Sequence, residues 1–160
     1  MTEIIKLENE LLSRLKLKKK NSNVYYAQEY PFFLETDDLD NLITLSGMKN
    51  IDKFRICMHK NDKAHIQEML LILLKPQFIK PHKQEKSTIS YHVIEGLAEL
   101  RLYDDNGNVE FVRNLSSTES GIQHIRLEAN KFRSIRSISN SFVYLEIANG
   151  PFRDSDTIWL

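Results

Sequence analysis

Apolar residues between Thr2 and Lys20 recur at helical steps, with Ile4, Leu7, Leu11, Leu12 and Leu15 on one face. The spacing predicts an amphipathic helix capped by Thr2. It has no capping box, because Ile5 stands where Glu or Gln would be needed. The lysines from Lys16 to Lys20 suit the negative end of a helix dipole. A solvated helix end and a phosphate-binding patch are the two readings of that run. Val24 to Leu34 carries Tyr25, Tyr26, Tyr30, Phe32 and Phe33, and Pro31 makes it an edge strand or an extended arm. Thr36 to Gly47 reads as a second helix. Thr36 or Asp37 caps it, Leu39, Leu42, Ile43 and Leu45 form its apolar face, and Gly47 stops it.

From Phe54 onward the period shortens, and β-branched, aromatic and leucine runs alternate with turn signals. The pattern predicts strands at Phe54–His59, Glu68–Leu74, Phe78–His82, Ser90–Glu95, Ala98–Tyr103, Val109–Leu115, Gly121–Leu127, Phe132–Ser137 and Phe142–Ile147. The clearest hairpin turns at Asp104-Asp105-Asn106-Gly107, where Asn-Gly tolerates the positive φ of a tight connection. Many short strands imply an antiparallel sandwich or barrel. Residues 1–50 then form a helical N-terminal arm with an extended aromatic segment, and residues 51–160 a β body.

Composition narrows the class. Lys plus Arg number 22, as do Asp plus Glu, so the zero net charge disfavours a nucleic-acid partner. With 41% hydrophobic and 28% charged residues among 160, the chain has globular composition for one domain. Cys57 is the one cysteine, so a reducing cytoplasmic location is expected. The longest apolar run, Met69 to Leu74, is far short of the roughly 20 residues that cross a bilayer. Glu3, Lys6, Glu8 and Glu10 interrupt the N-terminal apolar residues, which does not read as a signal peptide.

Candidate chemistry centres on Lys80-Pro81-His82-Lys83-Gln84. Strand alternation predicts that Lys80, His82 and Gln84 share a face. Two histidines at that spacing would signal a metal, but here the second position is Gln84, a weak ligand. His59 is either a site residue or a buried histidine satisfied by a backbone carbonyl. Tyr91 and Tyr144 are either proton donors or packed strand tyrosines. His92 has the opposite strand parity to Tyr91 and Val93, His65 reads as a surface residue, and Cys57 lies in core context between Ile56 and Met58. Glu146 is a candidate partner for an arginine inside the barrel.

Several blocks together resemble the WbuC-type cupin-fold metalloproteins, a family associated with bacterial O-antigen and other surface-polysaccharide gene sets. They are Phe54-Arg55-Ile56-Cys57-Met58-His59, Asp62, Ile66-Gln67-Glu68-Met69, Pro81-His82, Val93-Ile94-Glu95-Gly96, Tyr103-Asp104-Asp105-Asn106-Gly107, Glu146 and Gly150-Pro151-Phe152. The resemblance runs from about Leu39 to Asp156. It implies a mostly β protein, a cupin-type double-stranded β-helix (jelly roll) with a helical N-terminal arm. It also implies a divalent metal, and here the residues depart from the family pattern. The family's ligand positions fall on His82, Gln84, Ile89 and about Arg133. Isoleucine has no donor atom, and arginine brings a fixed positive charge. No cofactor is therefore expected, and His82 is the ligand if a metal is present.

On this reading Arg133 replaces the ion; the alternative points it outward as solvated charge, like Arg136. Lys80, His82, Gln84 and Arg133, with Arg55 and His59, make an electropositive pocket for a small anionic sugar or nucleotide-sugar. Three functions stay open. The first is a sugar-nucleotide epimerase or isomerase with His82 or His59 as base and Tyr91 or Tyr144 as proton donor. The second is a non-catalytic ligand-binding or assembly module. The third is a metal-binding cupin with ligands recruited from His82, His59 or His92, and Glu146. Exposed strand edges need covering, which predicts a homodimer.

Overall fold

The computed structural model describes residues 2–118 and 120–160, so residue 1 of the predicted arm lies outside the described residues. The helical periodicity of the first segment produces α1, Glu3–Arg14. The expectation of helix through the lysine run is corrected: Lys16 adopts φ 50° and the chain re-forms as a strand, β1, Leu17–Lys19. This turn buries Leu17 beside Leu15 and Ala27, a gain that a further solvated helical turn lacks. β2, Val24–Ala27, folds back antiparallel on β1 with Leu17 opposite Ala27, so only the start of the aromatic segment is strand.

Helix α2 spans Thr36–Met48. Its cap is Glu35, not Thr36 or Asp37. The Glu35 carboxylate accepts the third helical N–H, and Asp38 accepts the Glu35 N–H at 3.0 Å, a reciprocal box that satisfies two otherwise orphan donors. Arg14 ties α1 to this cap through Asp38 at 2.5 Å and Glu35 at 2.7 Å. Gly47 does not end the helix; the chain leaves it after Met48 and turns at Asn50, with φ 52°.

The β body follows as β3 (Lys53–Cys57), β4 (Ile66–Leu74), β5 (Phe78–Gln84), β6 (Ile89–Glu95), β7 (Leu97–Tyr103), β8 (Val109–Ser116), β9 (His124–Leu127), β10 (Phe132–Ser137), β11 (Ser141–Asn149) and β12 (Thr157–Trp159). Each of the nine predicted strands has a counterpart. β12 was missed, being three residues long. Gly107 takes φ 85° in the β7–β8 turn and donates its N–H to the Asp104 carbonyl at 3.1 Å, as the Asn-Gly signal predicts. One sheet has the order β1-β2-β3-β4-β11-β6-β9 and the other β12-β5-β10-β7-β8. They face each other as a jelly roll.

Strand β4 shows why the apolar run from Met69 to Leu74 has no alternation. Leu71 and Leu73 face the barrel interior with Phe142, Tyr144, Leu100 and Ile135. Leu70 and Ile72 face the other way, under Leu11, Leu42 and Leu45 of the two helices. A strand buried on both sides needs apolar residues at every position. The arm's apolar residues thus share one cluster with the outer face of β3, β4 and β11.

At the edge of that cluster, Glu8 accepts hydrogen bonds from Lys19 and Lys49, both at 2.8 Å, and from Tyr25 at 2.5 Å. Burial alone raises the Glu8 carboxyl, but these three donors outweigh it and hold it at about 2. A depressed carboxylate contributes stability above its unfolded value, 4.5, that is lost as pH falls through the folded one. Urea denaturation at a series of pH values should show a loss on the order of 1–2 kcal/mol between about pH 4.5 and 2, which Glu8→Gln flattens. An unchanged slope in that variant rejects the assignment.

Candidate functional site

The β5–β10 ladder sets the direction of the site residues. Arg133 stands opposite His82, and Ile135 opposite Ile79, so two steps on β10 span three on β5. The extra residue is a bulge at Lys80-Pro81, where proline lacks the N–H a regular ladder would require. The bulge puts Ile79, His82 and Gln84 on the cavity side and leaves Lys80 exposed, outside the cavity lining. The expectation that Lys80 shares a face with His82 and Gln84 is therefore corrected. The remaining candidates, His82, His59, Tyr91, Arg133, Gln84, Arg55 and Glu146, all line one cavity of about 530 Å³.

Arg133 lies inside the barrel at 3% exposure, whereas Arg136 points outward over the Phe78 ring at 4.5 Å. Arg133 Nε donates to Tyr91 Oη at 3.0 Å, and Nη1 to the His82 carbonyl at 3.3 Å. Its other terminal nitrogen makes no hydrogen bond among the described residues. Burial pushes the Tyr91 hydroxyl up to about 12, against the pull of Arg133, so it stays protonated and free to donate. Tyr144 packs edge-on against Tyr91 at 5.3 Å and is also held protonated by burial.

Lys53, Arg55 and Glu146 also line the cavity, as do Lys20, Asp62 and Asp154. Arg55 Nε is shielded from solvent and has no partner. Burial and then Arg55 lower Lys53 to about 8, and Lys53 makes no ion pair among the described residues. Glu146 lines the same cavity without an ion pair among those residues, so the predicted Glu146–arginine contact is a field effect on Arg133 and Lys53 rather than a bridge.

His82 Nδ1 lies 2.8 Å from the Lys80 carbonyl. A carbonyl only accepts, so in the neutral ring Nδ1 carries the proton and Nε2 the lone pair. Burial and then Arg133 lower His82 to about 4, and its ring packs 5.0 Å from Trp159. His59 is 7% exposed, with Nδ1 3.0 Å from both the amide nitrogen and the carbonyl oxygen of Glu68. Its ring is fixed by backbone even though it borders the cavity. Gln84 donates to Thr157 Oγ1 at 2.9 Å.

Other candidates lie elsewhere. His92 and His124 sit side by side on exposed β6 and β9 positions, 5.8 Å apart, and His65 is exposed. Burial pushes the Cys57 thiol up to about 11, which leaves it inert at neutral pH. Lys53, Thr157 and Trp159 are among the cavity residues that lacked a recognised signal. Lys53 precedes the predicted start of its strand, and Thr157 and Trp159 belong to β12. The alternation Lys53-Phe54-Arg55-Ile56-Cys57 held the clue for the first: its apolar members pack under the helices, so its polar members face inward.

The four positions that the family resemblance assigns to a metal do converge here, since His82, Gln84, Ile89 and Arg133 all line the cavity. Their chemistry does not fit a divalent ion. Ile89 offers no donor, and Arg133 places a fixed cation where the last ligand would stand. Among the described residues no group of three or more His, Cys, Asp or Glu side chains is placed to hold a metal. Nor is any helix long and apolar enough to cross a membrane.

No protein-family model and no curated protein matches the chain. Solved structures do resemble it. KdgF from Halomonas sp. aligns with a TM-score of 0.51 at 13% identity, over 65% of this chain and 84% of that one. Oxalate decarboxylase from Bacillus subtilis aligns with a TM-score of 0.50 at 16% identity, over 60% of this chain and 24% of that one. The alignment thus spans about a quarter of the decarboxylase. At these identities the likeness establishes the cupin fold.

Proposed function

We propose that this cupin binds a small anionic sugar or nucleotide-sugar in a metal-poor cavity and serves bacterial surface-polysaccharide biosynthesis. The observation that carries the binding reading is Arg133, a desolvated cation with an unused donor, in one cavity with the unpaired Arg55 and Lys53. Such a cluster is costly to hold without a counter-anion and strong when one arrives. Tyr91 and Thr157 supply hydroxyls for a polyol, and Trp159, 61% exposed at the His82 end, offers a face for a sugar ring. The polysaccharide role rests on the sequence resemblance alone.

A sugar epimerase or isomerase is the second reading, favoured by the His82 Nε2 lone pair and the Tyr91 O–H lining the same cavity. There His82 removes a proton from the carbon next to a carbonyl, the electron pair moves onto the carbonyl oxygen as an enolate that Arg133 holds, and Tyr91 returns a proton to carbon. A binding or assembly module needs the arginines but not this pair, so exchange of substrate hydrogen with deuterated water separates the two. We place the protein in the cytoplasm as a homodimer. β8, β9 and β12 are the edge strands of the body's two sheets, and light scattering reports the state.

A thermal-shift screen with UDP-glucuronate, glucuronate and inorganic phosphate, with and without EDTA, tests the binding reading. At 100 times Kd the expected stabilisation is about 2.7 kcal/mol, roughly 5–10 °C for a chain of this size, and EDTA leaves it unchanged. No shift with any anion, or one abolished by EDTA, overturns it.

A further inference from the structure

Lys53 is the cavity cation that a simple anion site does not require. It opens β3, and alternation turns Lys53, Arg55 and Cys57 toward the cavity while Phe54 and Ile56 pack under the helices. Its neighbours are Arg55 on its own strand, Arg133 from β10, Glu146 from β11 and His82 from β5. No carboxylate pairs with its ammonium among the described residues. An amine desolvated beside other cations is the environment that makes lysine nucleophilic near neutral pH, because both effects favour the uncharged form. The two arginines keep their charge and attract an anion to the same space.

We infer that Lys53 is an imine-forming residue, whose ε-amino group condenses with the carbonyl carbon of an anionic aldehyde or ketone held in the cavity. This rests on the anion-binding reading above and deepens it, since it selects ligands that present a free carbonyl, such as an open-chain or oxo form of a sugar acid. In the step, the Nζ lone pair forms the C–N bond and the carbonyl π pair moves to oxygen. One amine proton passes to that oxygen, giving a carbinolamine. The nitrogen lone pair then expels the oxygen as water, with a second proton taken from solvent. The product is a protonated imine, and no oxidant or reductant is consumed. Arg133 and Arg55 hold the anionic group and Tyr91 donates to the carbonyl oxygen as charge builds on it.

Pyruvate with cyanoborohydride tests the step, because reduction traps the imine as a stable secondary amine that peptide mass mapping locates. Lys53 should carry at least tenfold more label than the average of the surface lysines. The Lys53→Arg variant should lose that label while keeping its circular dichroism spectrum. Lactate, which has the anion but no carbonyl, should protect Lys53 in competition. Label spread evenly over the lysines, or absent from Lys53, overturns the imine. If lactate nevertheless raises the melting temperature, the anion site stands without it; if neither compound binds or labels, the imine falls, and the screen with UDP-glucuronate, glucuronate and phosphate decides the anion site separately. Should Lys53→Arg not fold, Lys53→Met takes its place, and the wild-type labelling map decides the matter by itself.

Discussion

Arg133→Met should leave the unliganded protein at least as stable as the wild type and weaken UDP-glucuronate binding by about 100-fold. The two halves of this result have one origin. A guanidinium at 3% exposure with no carboxylate bridge keeps a desolvation cost that its bonds to Tyr91 and the His82 carbonyl offset only in part. Methionine fills a similar length without that cost. The lost neutral-acceptor bonds are worth about 1 kcal/mol each, and both acceptors border a cavity that water enters. Binding loses far more, since a bidentate, charge-assisted contact to a buried guanidinium accounts for about 3 kcal/mol, or about 100-fold. Urea denaturation and calorimetric titration read the two halves. A destabilised variant with unchanged affinity would make Arg133 a structural residue and end the proposed function.

Gly150→Ala should lower stability by about 3 kcal/mol, roughly 6–12 °C in melting temperature, and weaken ligand binding as well. A methyl group at Gly150 would overlap the Ala64 carbonyl oxygen, and both sides of that collision are backbone. Neither side moves easily. The Gly150 N–H donates to the His65 carbonyl and the Phe152 N–H to the Asp62 carbonyl, each at 2.8 Å. This clamp sends the C-terminal segment along the cavity, where Phe152, Asp154, Thr157 and Trp159 form a wall. Loosening it therefore reaches the site through β12. Gly47→Ala is the control: nothing lies within 4 Å of its added methyl, so the α2 helix should gain about 0.5–1 kcal/mol. Differential scanning calorimetry on both variants checks the pair, and equal melting temperatures would refute the clamp.

The chain's local periodicity specified much of the molecule. The helical spacing from Ile4 to Leu15, the β strands from Phe78 to Ser137 and the Asn106-Gly107 hairpin were legible because each rests on neighbours a few residues apart. So was the mixture of His82, Gln84, Ile89 and Arg133 that argues against a metal, since that is a matter of side-chain chemistry. Packing decided the rest. Lys80 left the predicted face because β5 carries one more residue than β10 between matched pairs, and a bulge is a property of two strands together. The lysine run became β1 because Leu17 found a core and a partner in Ala27. Lys53 and Arg55 turned inward only because the helices cover the opposite face of β3. Alternation states that a strand has two faces; which of them encloses the cavity depends on what the distant parts of the chain lay against it.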